Sequence, residues 1–256
     1  MGITGLAALA LAAQGAALPP AGKWLVEYND GDCTMSRTFG DAAKPVTFAF
    51  QPSPTGALGE VALLLPPGGK SGVRRGKGAA VMLPSGQRFG AQWAMGTLAD
   101  GRRGVRFQAD QGFWDALPAA TAMRVELGGE APFTVALGAM KGPLAAIKTC
   151  SDDLLRSWGA EPGAVARLAG NPVRYFSDDA YPSGAVARDE QGRTTALATV
   201  DRDGKPIACR IVKTQASPAL DEATCQILMR HIRFEKAAPD GPAKRWSALP
   251  VNWVLP

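Results

Sequence analysis

Residues 194–213 read TTALATVDRDGKPIACRIVK, and this pattern predicts a β-hairpin. Two strand-like runs, residues 194–200 and 206–213, flank the turn residues 201–204. Asp-Gly between two strands is a strong hairpin signal, because it suits the tight turns that join antiparallel strands. Side chains alternate along a strand. One face of the second strand therefore carries Ile207, Cys209 and Ile211.

The residues after the hairpin predict a helix with well-defined ends. Ser217 suits the N-cap, and Pro218 suits the first helical position, where a proline costs no hydrogen bond. Acidic residues follow near the positive end of the helix dipole, and basic residues lie near its negative end. Apolar positions recur at helical spacing in Cys225, Leu228, Met229 and Ile232. A final strand, residues 246–254, completes this unit.

The four cysteines predict two disulfides. They form an even set with no CxxC and no nearby histidine that could complete a zinc site, so no metal is expected. Three connectivities exist for four cysteines. We favour Cys33 with Cys150 and Cys209 with Cys225, because each bridge then stays inside one predicted domain.

Residues 1–18 predict a secretory signal peptide. Residues 3–13 form an apolar run that is too short to cross a bilayer, and the small residues Gly15 and Ala17 suit signal peptidase. No Lys or Arg precedes the run, and the alternative is a buried Ala-rich helix. We expect export to the periplasm and no membrane span in the mature chain.

Residues 19–158 predict a β-rich domain. Short strand-like runs bounded by Gly, Pro, Asp or Ser indicate an antiparallel sandwich or barrel, and a helical stretch over residues 141–158 closes the domain. Residues 159–175 are interrupted by Gly, Asn and Pro and are predicted to be a linker to a second domain, residues 176–256. The predicted fold class is α+β. The strand-like runs are residues 23–28, 46–50, 60–65, 78–83, 89–94, 104–108, 123–127 and 133–137.

Residue types that usually carry catalysis are sparse. The single histidine, His231, lies in the last turn of the predicted helix, where it suits dipole compensation or packing. Acidic pairs are adjacent in sequence and indicate solvated surface. No catalytic residue and no cofactor is therefore predicted, and we expect no enzyme. The net charge is +5, but the basic residues are scattered and lack the aromatic neighbours of a nucleic-acid surface.

The strand, strand, helix, strand order over residues 176–256 resembles the C-terminal domain of TonB energy-transducing proteins. The resemblance implies a helix packed on a small antiparallel sheet. It also implies that an exposed sheet edge pairs with an extended peptide, the TonB box of an outer-membrane receptor. The matching residues are Tyr181-Pro182, Gly192, Val200-Asp201, Asp203-Gly204, Ile211-Val212, Leu220-Asp221-Glu222-Ala223, Arg233-Phe234 and Ala237.

The sequence departs from the TonB pattern at three places, and these departures limit how much of the family's function the resemblance implies. Thr214-Gln215-Ala216 replaces the usual Ser-Ser-Gly, Lys236 replaces a proline, and Pro250 interrupts the final strand, which must there be an edge or bulged. The membrane helix that couples TonB proteins to their motor is not seen, so we expect no energy transduction by this chain alone. The candidate peptide-binding edge is the final strand, with site residues Trp246, Ala248, Val251 and Trp253.

Two functions are consistent with the sequence. The first is a periplasmic protein-interaction module that pairs with a receptor peptide or another envelope protein. The alternative is an envelope or stress-related protein that binds cell wall, polysaccharide or lipid and uses the TonB-like fold structurally. Residues 24–33 and 133–137 also resemble the invasion-associated locus B family of exported β-rich proteins, which names no ligand. The sequence leaves the oligomeric state open.

Overall fold

The computed structural model describes residues 16–68 and 72–255, so most of the predicted signal peptide lies outside the described residues. A β-rich unit comes first and contains nine strands and two helices. Helix α1 is Gln111–Ala116 and helix α2 is Lys141–Ser157. The strands are β1 (Leu25–Asn29), β2 (Asp32–Phe39), β3 (Val46–Pro52), β4 (Leu58–Leu65), β5 (Arg74–Leu83), β6 (Arg88–Thr97), β7 (Arg103–Asp110), β8 (Ala122–Leu127) and β9 (Phe133–Ala136).

All nine strands belong to one curled antiparallel sheet, in the order β1-β2-β3-β4-β7-β6-β5-β8-β9. Residues 18–21 connect β9, the strand at one end of this sheet, to β2, the strand next to β1 at the other end. Leu18 N donates to Thr134 O of β9 at 2.7 Å, and Ala21 N donates to Thr38 O of β2 at 2.9 Å. The predicted β-rich antiparallel fold with a closing helix is confirmed as one curled sheet.

The core of the β-rich unit is aromatic. Phe39, Phe48 and Phe50 are fully buried on β2 and β3, and Phe113 of α1 packs against Phe50 with ring centroids 6.3 Å apart. These rings alternate with outward-facing residues, because neighbouring side chains in a strand point to opposite faces. Helix α2 packs on β2 and is fixed there by the predicted Cys33–Cys150 disulfide.

The C-terminal unit has a three-stranded antiparallel sheet in the order β11-β10-β12. Its strands are β10 (Gly192–Val200), β11 (Pro206–Thr214) and β12 (Arg245–Trp253), preceded by the short helix α3 (Ser183–Val186). Helix α4 (Pro218–His231) packs on one face. The predicted hairpin, helix and final strand are confirmed.

The ends and the face of α4 agree with the sequence pattern. The Ser217 hydroxyl accepts a hydrogen bond from Leu220 N, and Pro218 occupies the first turn. Leu228 and Ile232 pack against the sheet, and the second predicted disulfide, Cys209–Cys225, joins the helix to β11. Both disulfide connectivities are those expected from the sequence.

Three features were not predicted. Strand β2 lies between the predicted strand-like runs 23–28 and 46–50 and belongs to neither, and the short helix α1 follows β7 directly. Residues 164–169, inside the predicted linker, bond to the C-terminal unit through two isolated bridges, Val165 with Trp246 and Leu168 with Phe234. The domain boundaries themselves stay a prediction.

The sheet face opposite α4 packs against the β-rich unit. Leu197 and Ala248 on this face contact Leu155 of α2 and Ala160. Polar contacts surround this apolar patch, and one of them joins Arg193 Nη1 to Gln51 Oε1 at 2.7 Å. The C-terminal sheet therefore lies between α4 and the β-rich unit.

We expect the two disulfides to differ in their contribution to stability. The Cys33–Cys150 bridge closes a loop of 117 residues and the Cys209–Cys225 bridge a loop of 16 residues. In the chain-entropy model, the corresponding double serine variants lose about 5 kcal/mol and about 3 kcal/mol of unfolding free energy. Urea denaturation of the two oxidised variants beside the wild type measures both values. Equal losses, or the reverse order, would contradict the loop-length argument.

Candidate functional site

The outer edge of β12, the predicted peptide-binding edge, is largely covered. Trp246 N donates to Ala164 O at 2.8 Å, and Trp246 O accepts from Ala166 N at 2.8 Å. Two residues further on, Ala248 N donates to Thr55 Oγ1 at 2.9 Å. The chain itself therefore occupies the main-chain groups with which an added strand would pair.

Pro250 lies at a position where a proline removes no hydrogen bond from the sheet. Main-chain groups alternate in direction along a strand, so Trp246, Ala248, Pro250 and Asn252 face away from β10. The missing N–H of Pro250 therefore belongs to the outer edge, and the β10–β12 ladder continues past it from Gly192 to Val200. The sequence-based inference that the strand is an edge at this point agrees with the sheet order.

The four predicted site residues are placed on two faces of β12. Val251 and Trp253 point towards the helices, where Trp253 Nε1 donates to Thr224 Oγ1 at 2.9 Å. Trp246 and Ala248 point towards the β-rich unit. Three of the four are at most 7% exposed, and Trp246 is half-buried. Asn252, a polar residue between two apolar ones, is the exposed residue of this strand.

The opposite edge of the sheet, β11, has no strand partner among the described residues. Arg210 and Ala208 pair with β10, so the main-chain groups of Ile207 and Cys209 face outwards. The side chain of Ile207, which lies at this edge, is 48% exposed. Sequence reasoning did not select this edge, although the family resemblance directs attention to sheet edges in general.

An ion pair joins the far end of β11 to the β-rich unit. Lys213 Nζ lies 2.5 Å from Asp32 Oδ2, and both side chains are less than one-third exposed. Burial opposes ionisation of Asp32, but hydrogen bonds from Lys213 and Asn29 together with the Lys213 charge outweigh it and lower the pKa of this carboxyl. The open part of the β11 edge is therefore its first half, Pro206 to Arg210.

The residues considered for catalysis lie apart from one another. His231 is exposed and stacks on Tyr175 with ring centroids 5.2 Å apart, and Asp152 and Asp153 pair with basic residues of their own helix. Within residues 16–68 and 72–255, no group of three or more His, Cys, Asp or Glu side chains is placed to hold a metal ion. In the same part of the chain, no helix is long and apolar enough to span a membrane.

This geometry defines a small α+β unit with a stapled helix and a three-stranded sheet. Residues 178–255 match the family described as Gram-negative bacterial TonB protein C-terminal. The resemblance that the sequence motifs indicated is confirmed over this part of the chain. TonB family domains are non-catalytic protein-interaction domains of the cell envelope. No curated protein and no solved structure matches the chain.

We expect the Asp32–Lys213 pair to stabilise the protein at neutral pH and not in acid. The pKa of Asp32 in the folded protein lies below its ordinary value of 3.8, so its contribution is present above that pH and is lost as the pH falls through the folded-state pKa. Lys213→Met should cost about 1 kcal/mol at pH 7. Urea denaturation from pH 7 to pH 2.5 checks this, with the exposed Lys205→Met as the matched control. A cost that stays constant down to pH 2.5 would rule out the ion pair as its source.

Proposed function

We propose that this protein is a periplasmic protein-interaction module whose TonB-like unit binds an extended peptide at a sheet edge. The match of residues 178–255 to the TonB C-terminal family carries the proposal. The peptide has the chemistry of a TonB box, a segment that adds one strand to a sheet by main-chain hydrogen bonds. Binding of this kind requires no catalytic residue, which agrees with a non-enzymatic role.

The first half of β11 is the edge that favours peptide addition. Its outward main-chain groups at Ile207 and Cys209 have no strand partner among the described residues, and a peptide that pairs there displaces water alone. Pairing along β12, the edge proposed from the sequence, first requires release of residues 164–166 and of Thr55. We therefore propose that the peptide binds to β11, and the experiment below compares this edge with the edge of β12.

Proline substitutions at the two edges distinguish binding to β11 from binding to β12. Ile207→Pro removes one outward donor of β11, whereas Ile207→Ala keeps it. Ala166→Pro removes the donor that residues 164–166 give to Trp246 O, and Ala166→Gly keeps it. A hydrogen bond contributes about 0.5–1.5 kcal/mol net, which is roughly a twofold to tenfold change in Kd.

The measurement is the fluorescence anisotropy of labelled TonB-box peptides titrated with the full-length protein. Ile207→Pro should weaken binding by about twofold to tenfold, while Ile207→Ala and both Ala166 variants stay close to wild type. Tighter binding by Ala166→Pro with no effect of Ile207→Pro would move the site to β12. No binding of any such peptide at millimolar concentration would remove the peptide proposal.

A pull-down on purified cell-wall sacculi addresses the alternative role. The peptide-binding proposal predicts that the protein is not retained. Retention together with absent peptide binding would favour an envelope protein that uses the TonB-like unit structurally.

A further inference from the structure

One end of the β-rich sheet lies away from the C-terminal unit. The polar contacts between the units involve Asp32 at the start of β2, Thr55 between β3 and β4, and Asp115 after β7. Neighbouring strands of an antiparallel sheet run in opposite directions, so these three places share one end of the sheet. The start of β5 and the β6–β7 turn lie at the opposite end, which we call the far end.

The outer face of the sheet carries a row of basic side chains towards the far end. Ala94 is exposed between two buried neighbours on β6, so its side chain points away from the core. Arg75 of β5 and Arg106 of β7 lie directly opposite Ala94 on its two sides, and opposite residues share a face. Their Cα atoms are therefore about 10 Å apart, which is two strand spacings. Lys77, two residues after Arg75, points to the same side.

Acidic residues do not neutralise this row. Arg106 lies 3.5 Å from Glu60, but its side chain is 70% exposed, and an ion pair in water contributes little. Arg75 and Lys77 form no ion pair with another described residue. Six basic and three acidic residues lie on the row and around it, namely Arg74, Arg75, Lys77, Arg102, Arg103 and Arg106 against Glu60, Asp100 and Glu130.

Two exposed apolar side chains lie at the far end of the same face. Val73, directly before β5, is 79% exposed, and Leu98, directly after β6, is 44% exposed. A Cβ added at Gly104 would lie 3.8 Å from Leu98 Cδ2. Gly104 precedes Arg106 by two residues on β7, so Leu98 lies on the face of Arg106. The far end thus has apolar side chains at its tip and the basic row behind them.

We propose that the far end is a docking surface for an anionic lipid bilayer. Val73 and Leu98 enter the boundary between headgroups and acyl chains, while Arg75, Lys77 and Arg106 contact the lipid phosphates. A soluble polyanion would bind the basic row but leave the two apolar side chains in water. Because the far end is opposite the C-terminal unit, the docked protein keeps its β11 edge accessible. The proposal does not depend on the peptide proposed for that edge.

Co-sedimentation with lipid vesicles tests the docking. The protein used is the chain of residues 16–256, because the apolar run of residues 3–13 would itself bind lipid. It should bind vesicles that contain phosphatidylglycerol and phosphatidylcholine, and bind at least about tenfold more weakly to vesicles of phosphatidylcholine alone. Raising the NaCl concentration from about 0.05 M to about 0.5 M should weaken binding to the anionic vesicles, because salt screens exposed charges.

Substitutions on the docking surface separate its charged and apolar parts. Arg75→Gln and Arg106→Gln should each weaken binding to the anionic vesicles by about fivefold. The double variant Val73→Ser with Leu98→Ser keeps every charge and should weaken binding by about threefold to tenfold. The matched controls are the exposed Lys205→Gln and Val254→Ser of the C-terminal unit, which should change binding by less than about twofold. Ile207→Pro should also leave vesicle binding unchanged, so this surface can fail or succeed independently of the β11 edge.

Four results would overturn the proposal. The first is no binding to the anionic vesicles up to millimolar lipid, and the second is equal binding to phosphatidylcholine alone. The third is weaker binding in the arginine variants with no effect of the serine double variant, which would indicate a surface for soluble polyanions. The fourth is self-association of the protein without vesicles that the serine double variant abolishes, which would assign the apolar tip to a second copy of the chain.

Discussion

Main-chain hydrogen bonding at sheet edges is the constraint on which this structure depends. Buried N–H and C=O groups that lack partners are costly, so each edge must be paired, covered or left in water. Residues 18–21 connect β9 to β2, and residues 164–166 with Thr55 cover part of the outer edge of β12. Among the described residues, the first half of β11 and the outer side of β1 keep main-chain groups without a strand partner.

Helix α2 connects the two units and fixes where these edges lie. Its middle is tied to β2 by the Cys33–Cys150 disulfide, and Leu155 near its end packs under Leu197 and Ala248 of the C-terminal sheet. A helix held at its middle by a covalent bond and near its end by buried apolar contacts orients the sheet strongly, since packing in protein interiors is dense. As a consequence, β12 contacts the β-rich unit through Ala248 and Thr55, and β11 contacts it at its end through Lys213 and Asp32.

The sequence predicted features that depend on short stretches of chain. The hairpin follows from Asp203-Gly204, the start of α4 follows from Ser217 and Pro218, and both disulfides follow from keeping each bridge inside one domain. The cover over β12 could not be predicted, because residues 164–166 and Thr55 reach that edge from distant parts of the chain. The end of the β6–β7 pairing at Trp93 and Phe107 could not be predicted either, because it depends on the curvature of the sheet. Asn252 is the exception, since a polar residue between Val251 and Trp253 signals an outward position.

The two edges of the C-terminal sheet differ in the free energy that a peptide gains there. On β12 a new strand exchanges the bonds of Trp246 with Ala164 and Ala166 for equivalent bonds, and it also has to displace the buried side chains of Ala164 and Ala166. Each hydrogen bond exchanged in this way contributes close to nothing, and the lost apolar contacts oppose binding. On β11 the peptide gains its bonds against water, because the outward main-chain groups of Ile207 and Cys209 have no strand partner among the described residues. The covered edge of β12 therefore connects the two units, and the open edge of β11 is the one available to a partner peptide.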